Sequence, residues 1–185
     1  DTVLSRTLIP ALNRKVSVSL DGLIAKAQSL FKGQLEFARQ HRLFEENLTP
    51  SKIDNFAAFH CMEYEGSIPE DEIERAWKEV KQALANFAGM NEITQALRDA
   101  DKIIPQRRLT LKHSGVTIRA TPDLIAFYKD KPPLVIDWKV SFWGIREAWL
   151  QLGIYGVVLM RCKPHIDFPQ SLSQWTERDI RLTEV

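Results

Sequence analysis

Apolar residues recur at helical spacing through the first hundred positions and at alternate positions after Ile103. Leu20 to Asn47 carries Leu23, Ile24, Ala27, Leu30, Phe31, Leu35 and Phe37, which predicts a long helix weakened at Gly33. Leu48-Thr49-Pro50-Ser51 breaks it, and a short segment from Ile53 to Tyr64 follows, with Phe56, Phe59 and His60 near one face. Ser67-Ile68-Pro69-Glu70 matches a capping box with proline inside the first turn. It predicts a helix from Pro69 to Phe87 along the stripe Ile73, Trp77, Val80 and Leu84, and Glu92 to Ala100 reads as another.

Beyond Ile103 the period changes to two. Arg108 to Lys112 alternates, His113-Ser114-Gly115 turns, and Val116 to Ala120 alternates again, which predicts a hairpin. Its second strand is expected to run past Pro122 to Tyr128, with the proline marking an edge or a bend. Leu134 to Val140 reads as a third, interior strand. Gly144 to Arg161 reads as a helix with Ile145, Trp149, Leu152 and Gly156 on its packed side, and Asp179 to Thr183 is a candidate last strand. The expected class is α/β or α+β, as one domain over 1–185: a mainly helical 1–100 and a sheet core over 101–185.

Composition narrows the classes. With 44% hydrophobic and 26% charged residues the chain is globular rather than disordered. Cys61 and Cys162 are its two cysteines, with no CxxC pair, which excludes a zinc ribbon and a cysteine-held iron–sulfur cluster. Free thiols, no signal-peptide pattern and no apolar run of membrane length predict a cytoplasmic protein without a membrane partner. A start at Asp1 rather than Met suggests an excised piece. The net charge of +1 conceals a division, because residues 41–100 sum to −6 and residues 101–163 to +6.

The basic block holds two notable carboxylates. Asp123 follows a proline, and Asp137 lies in the most apolar stretch of the chain, where a carboxylate is costly without a cation. Lys139, two residues on, projects from the same strand face as Asp137. Two carboxylates and an ammonium on one face can hold Mg²⁺ or Mn²⁺ with a lysine beside its water, which is chemistry for phosphodiester hydrolysis. The competing readings are a turn aspartate and a plain ion pair at a strand end. Lys102, Arg107, Arg108, Lys112 and Arg119 are candidates to line a phosphate-tracking groove, and Trp143 is the candidate to stack on a base.

Pro122-Asp123, thirteen residues, then Asp137-Trp138-Lys139 resembles the signature of the PD-(D/E)XK nuclease superfamily. With Ser141 and the Gln151-Leu152-Gly153-Ile154-Tyr155 run on the next helix, the set is similar to the RecB-like exonuclease branch, over roughly residues 103–160. The resemblance implies a restriction-endonuclease-like mixed sheet flanked by helices. It implies a Mg²⁺- or Mn²⁺-dependent deoxyribonuclease, an exonuclease of DNA repair, recombination or defence. The partners would be single- or double-stranded DNA and a protein partner or larger repair complex. Carried over, Asp123, Asp137 and the backbone carbonyl of Trp138 would hold the metal, and Lys139 would be the catalytic lysine. Gln151 and Tyr155 would support the site, and His60 would be an upstream metal ligand, with His41 and Glu36 as weaker matches. Ala120-Thr121-Pro122 stands where that branch often has a glycine, and the cysteines of its iron–sulfur members are absent. The alternative is a catalytically inactive nucleic-acid-binding or scaffolding domain on the same fold.

Overall fold

The computed structural model describes residues 2–42, 46, 48, 55–139 and 145–185. Its regular elements run α1 (Ile9–Asn13), α2 (Leu20–Gln40), α3 (Glu70–Gly89), α4 (Asn91–Asp99), β1 (Lys102–Pro105), β2 (Leu109–His113), β3 (Val116–Ala120), β4 (Leu124–Phe127), β5 (Leu134–Asp137), α5 (Ile145–Arg161) and β6 (Arg181–Glu184). Short π-helical turns at Leu4–Leu8 and Cys61–Glu65 and a 3₁₀ turn at Gln170–Gln174 complete the order. Among the described residues no helix is long and apolar enough to cross a membrane. Two compact units emerge: Val18–Gly89, and Asp1–Ser17 together with Met90–Val185.

The Val18–Gly89 unit is helical. Ser19 caps α2, its Oγ accepting the Gly22 N–H at 3.1 Å. The helix ends at Gln40, seven residues before the expected Asn47. Local side-chain bonds take over there: Glu46 accepts the Arg42 N–H at 3.1 Å and meets His41 Nδ1 at 2.8 Å, and Arg42 donates back to the Ala38 carbonyl at 2.9 Å. Gly33 has a packing reason, because a Cβ there would lie 2.8 Å from the Asn55 amide nitrogen. The α3 helix starts at Glu70, so Pro69 precedes its first turn rather than sitting inside it. Three acidic residues, Glu70, Asp71 and Glu72, occupy the positive end of its dipole. Phe31 of α2 and Trp77 of α3 bring their rings within 5.7 Å. In the expected Ile53–Tyr64 segment, residues 56–59 form no regular element and the π-helical turn begins at Cys61; residues 53 and 54 lie outside the described ones.

The second unit is a mixed α/β assembly. Its four-stranded sheet has the order β1-β4-β5-β6, antiparallel except for the parallel β5–β6 pair. The β2–β3 hairpin is a separate two-stranded sheet. Its tip, Ser114-Gly115, has φ of +48° and +79°, the double left-handed turn that matches strand twist and suits glycine. Three expectations change here. The strand expected from Val116 to Tyr128 is two strands, since Pro122 offers no N–H to a ladder and the chain bends at Thr121-Pro122-Asp123 before β4. The strand expected to reach Val140 stops at Asp137. Lys102–Pro105 is a strand that periodicity does not reveal, because it has four residues and ends in proline.

Interior strands β4 and β5 are buried at every position. One face of the sheet presents Ile125, Phe127 and Val135 to α5, which contributes Leu152, Tyr155, Val158, Leu159 and Cys162 to the same core. Each aliphatic side chain buried there contributes about 1.5–3 kcal/mol. Leu152 and Gly156 lie on the packed side of α5 as expected, whereas Trp149 is 72% exposed. The open edge of β1 is covered by the Asn13 amide, which donates to the Ile103 carbonyl and accepts its N–H, each at 2.8 Å.

Candidate active site

The ladder between β4 and β5 pairs Leu124 with Ile136, so one step further places Asp123 opposite Asp137. Parity assigns both to the face of Ile125 and Val135, under α5. Asp123 is braced from two sides. Its carbonyl accepts the Gln106 N–H at 3.0 Å, and its Oδ2 accepts the Trp138 N–H at 2.8 Å. The end of β6 anchors the neighbouring backbone, with Val185 N–H donating to the Asp137 carbonyl at 3.1 Å and Lys139 N–H donating to the Val185 carbonyl at 2.7 Å. The backbone of 137–139 is thereby held rigidly while its side chains turn toward α5.

Asp137 is 3% exposed and is the one buried charged residue among those described. Lys139 Nζ makes an ion pair with its Oδ2. From α5, Gln151 ties the group together: its Oε1 accepts from Lys139 Nζ at 3.0 Å, and its Nε2 reaches Asp137 Oδ1 at 3.5 Å and the Tyr155 hydroxyl. The i, i+4 spacing of Gln151 and Tyr155 makes that last contact possible.

Electrostatics follow from this crowding. Burial raises the Asp123 carboxyl above the usual aspartate range; the Trp138 N–H opposes the rise and the Asp137 charge adds to it. The hydrogen bond to Asp137 raises the Lys139 ammonium, so it stays charged at neutral pH. Burial raises the Tyr155 phenol, which therefore acts as a neutral hydroxyl. Two facing carboxylates share a single lysine, which leaves acidic donors in excess of the cations beside them. These features fit a hard divalent cation.

Among the described residues no group of three or more His, Cys, Asp or Glu is placed to hold a metal. Mg²⁺ commonly uses one or two carboxylates and keeps several waters, and the Asp123/Asp137 pair matches that donor count. His60, exposed and with its ring 4.6 Å from that of Tyr64, belongs to the Val18–Gly89 unit, as do His41 and Glu36. Arg107 is paired with Asp167, so it does not stand free to track phosphates. Arg108, Lys112 and Arg119 are exposed. On the hairpin, the register puts Lys112 and Arg119 on its outer face with Thr110 and Thr117. Trp143 and Ser141 lie outside the described residues.

A cleft of about 350 Å³ adjoins the cluster, lined by Arg119, Ala120, Thr121, Leu150, Gln151, Ile154 and Tyr155. Sequence reasoning singles out neither Leu150 nor Ile154. The available signal was an α5 with large apolar side chains on more than one side, with Leu150 and Ile154 spaced i, i+4 around Gln151. The unit that contains the cluster has 17 Lys+Arg against 12 Asp+Glu, whereas the Val18–Gly89 unit has 8 against 12. Comparison of the chain with protein-family models, with curated proteins and with solved structures finds no match.

Proposed function

We propose that the chain is a metal-dependent DNA nuclease with a restriction-endonuclease-like core, acting as an exonuclease in DNA repair, recombination or defence. The observation that carries this reading is the convergence of Asp123, Asp137, Lys139 and Gln151 around a carboxylate that is 3% exposed. A buried carboxylate beside a second one is costly to a fold, and such costs are characteristic of functional sites.

Asp123 and Asp137 would hold Mg²⁺ or Mn²⁺, with the Trp138 carbonyl as a further ligand. The ion would neutralise phosphate charge and acidify water. Lys139, held by Gln151 and Asp137, presents an ammonium to the attacking water and to the phosphoryl oxygens as charge develops on them. Gln151, fixed in turn by the Tyr155 hydroxyl, keeps that ammonium in place without adding charge. The net positive charge of the surrounding unit favours a polyanionic substrate.

The test is a time course on end-labelled linear DNA and closed-circular DNA with Mn²⁺. Degradation of the linear form alone, stopped by EDTA and reduced at least a hundredfold in Asp137→Ala and Lys139→Ala, is the expected result. Cutting of the circle would correct exonuclease to endonuclease. Cleavage undiminished in both variants would overturn the assignment of the site. DNA binding without any divalent-dependent cleavage would establish the inactive binding or scaffolding domain instead.

A further inference from the structure

The cleft beside the cluster combines features that the hydrolytic reading does not use. Its outer wall is Leu150 and Ile154 on α5, which are 67% and 39% exposed. Its opposite wall is the end of β3 and the bend after it, with Arg119, Ala120 and Thr121. Gln151 and Tyr155 form its inner side and belong to the catalytic cluster as well. Among the described residues Arg119 has no carboxylate partner, unlike Arg107 and Arg161, which pair with Asp167 and Glu177. A free guanidinium, a hydroxyl and an apolar wall around about 350 Å³ make a site of small-ligand size. The guanidinium calls for a planar or tetrahedral oxyanion, and the exposed aliphatic pair calls for a flat apolar body. A duplex satisfies neither, because its bases are stacked inside and its width far exceeds the cleft.

We infer that this cleft binds one nucleoside 5′-monophosphate unit, with the base against Leu150 and Ile154 and the phosphate on Arg119. Its place next to Gln151 makes it the subsite for the terminal nucleotide on one side of the bond to be cut; the choice of nucleotide as ligand rests on the nuclease reading. Arg119 would then set the register of the chain end and Leu150 would reward an unpaired base. The outer face of the hairpin, with Lys112 diagonal to Arg119, continues the positive path for the next phosphate.

The experiment is amide NMR titration of the full chain in EDTA with deoxyadenosine 5′-monophosphate, with deoxyribose 5-phosphate and with deoxyadenosine. The expected result is saturable shifts at residues 119–121 and 150–155. The monophosphate should bind at least tenfold tighter than either fragment. Arg119→Ala should weaken the monophosphate at least tenfold. Leu150→Ser should weaken it at least threefold and leave deoxyribose 5-phosphate unchanged. Both positions are exposed, so neither variant is expected to disturb folding. Shifts elsewhere, no shifts, equal affinity for the monophosphate and deoxyribose 5-phosphate, or insensitivity to Arg119→Ala would each overturn the inference. The assay contains no divalent ion. Binding intact with no cleavage would sink the nuclease reading alone, and cleavage intact with no binding would sink the cleft alone.

Discussion

Asp137→Asn and Lys139→Met remove opposite ends of one ion pair, and the geometry makes their effects on stability unequal. The pair in contact contributes about 4 kcal/mol of attraction at an effective dielectric near 20. Asp123 faces Asp137 across the ladder at about 5 Å, which adds about 3 kcal/mol of repulsion. Asp137→Asn loses the attraction but also removes the repulsion and the desolvation of a charge that is 3% exposed. Its net change should fall within about 1 kcal/mol of zero, or be stabilising. Lys139→Met loses the attraction and leaves two facing carboxylates with no cation. The Lys139 side chain is 31% exposed, so water softens the loss, and about 2–3 kcal/mol of destabilisation remains.

Hydrogen exchange of the β4 and β5 amides in EDTA reads this unit separately from the helical one. A urea titration of each variant supplies the global figure. As pH is lowered the cost of Lys139→Met should shrink, because the Asp123 carboxyl, raised by burial, takes up a proton earlier than an ordinary aspartate. Mg²⁺ at ten times its dissociation constant should stabilise the parent chain by about 1.4 kcal/mol and the Asn variant by far less. If Asp137→Asn destabilises as much as Lys139→Met, and Mg²⁺ protects neither protein, the pair is an ordinary structural ion pair. The metal-site argument then fails.

Three further outcomes follow from the same contacts. The Asp123 pKa is raised in the fold, so its neutral form is favoured there; that contribution is present at low pH and is lost as pH rises through the raised value. Metal binding needs the ionised form, so Mn²⁺ affinity should begin to fall above the ordinary aspartate pKa of about 3.9 as pH is lowered. A titration between pH 4 and 7 showing constant affinity would refute this. Tyr155→Phe should cost about 1 kcal/mol, measured by urea unfolding, and should lower cleavage less than tenfold, because the hydroxyl acts only through Gln151. Gly33→Ala should fall short of the usual gain of about 1 kcal/mol for alanine in a helix, and Gly33→Ala with Asn55→Ala should recover it; full recovery in the single variant would show that Asn55 moves freely.

The clustering of Asp123, Asp137, Lys139, Gln151 and Tyr155 was easier to read from the chain than the strands that carry it. Asp137 stands out in sequence because the residues before it are apolar throughout, and the fold buries it. Gln151 and Tyr155 were legible because a helix brings residues four apart together. By contrast, periodicity over Val116–Tyr128 suggests one strand, and the break at Pro122 depends on which N–H groups a ladder needs. That break also positions the carboxylate pair. Had β3 run on into β4, Asp123 would lie inside a ladder with its direction set by the hairpin. Ending β3 at Ala120 lets β4 start afresh between β1 and β5, which puts Asp123 opposite Asp137 and its Oδ2 on the Trp138 N–H.

The packed face of α5 was legible in part: Leu152 and Gly156 are buried as expected, and Trp149 is not. Large apolar side chains lie on more than one side of α5 and blur its periodicity, and here Tyr155 and Leu159 go inward while Trp149 and Leu150 stay out. Stability alone gives no reason to leave large apolar side chains in water beside a buried carboxylate. A ligand with a flat apolar part and an anionic part gives a reason for both.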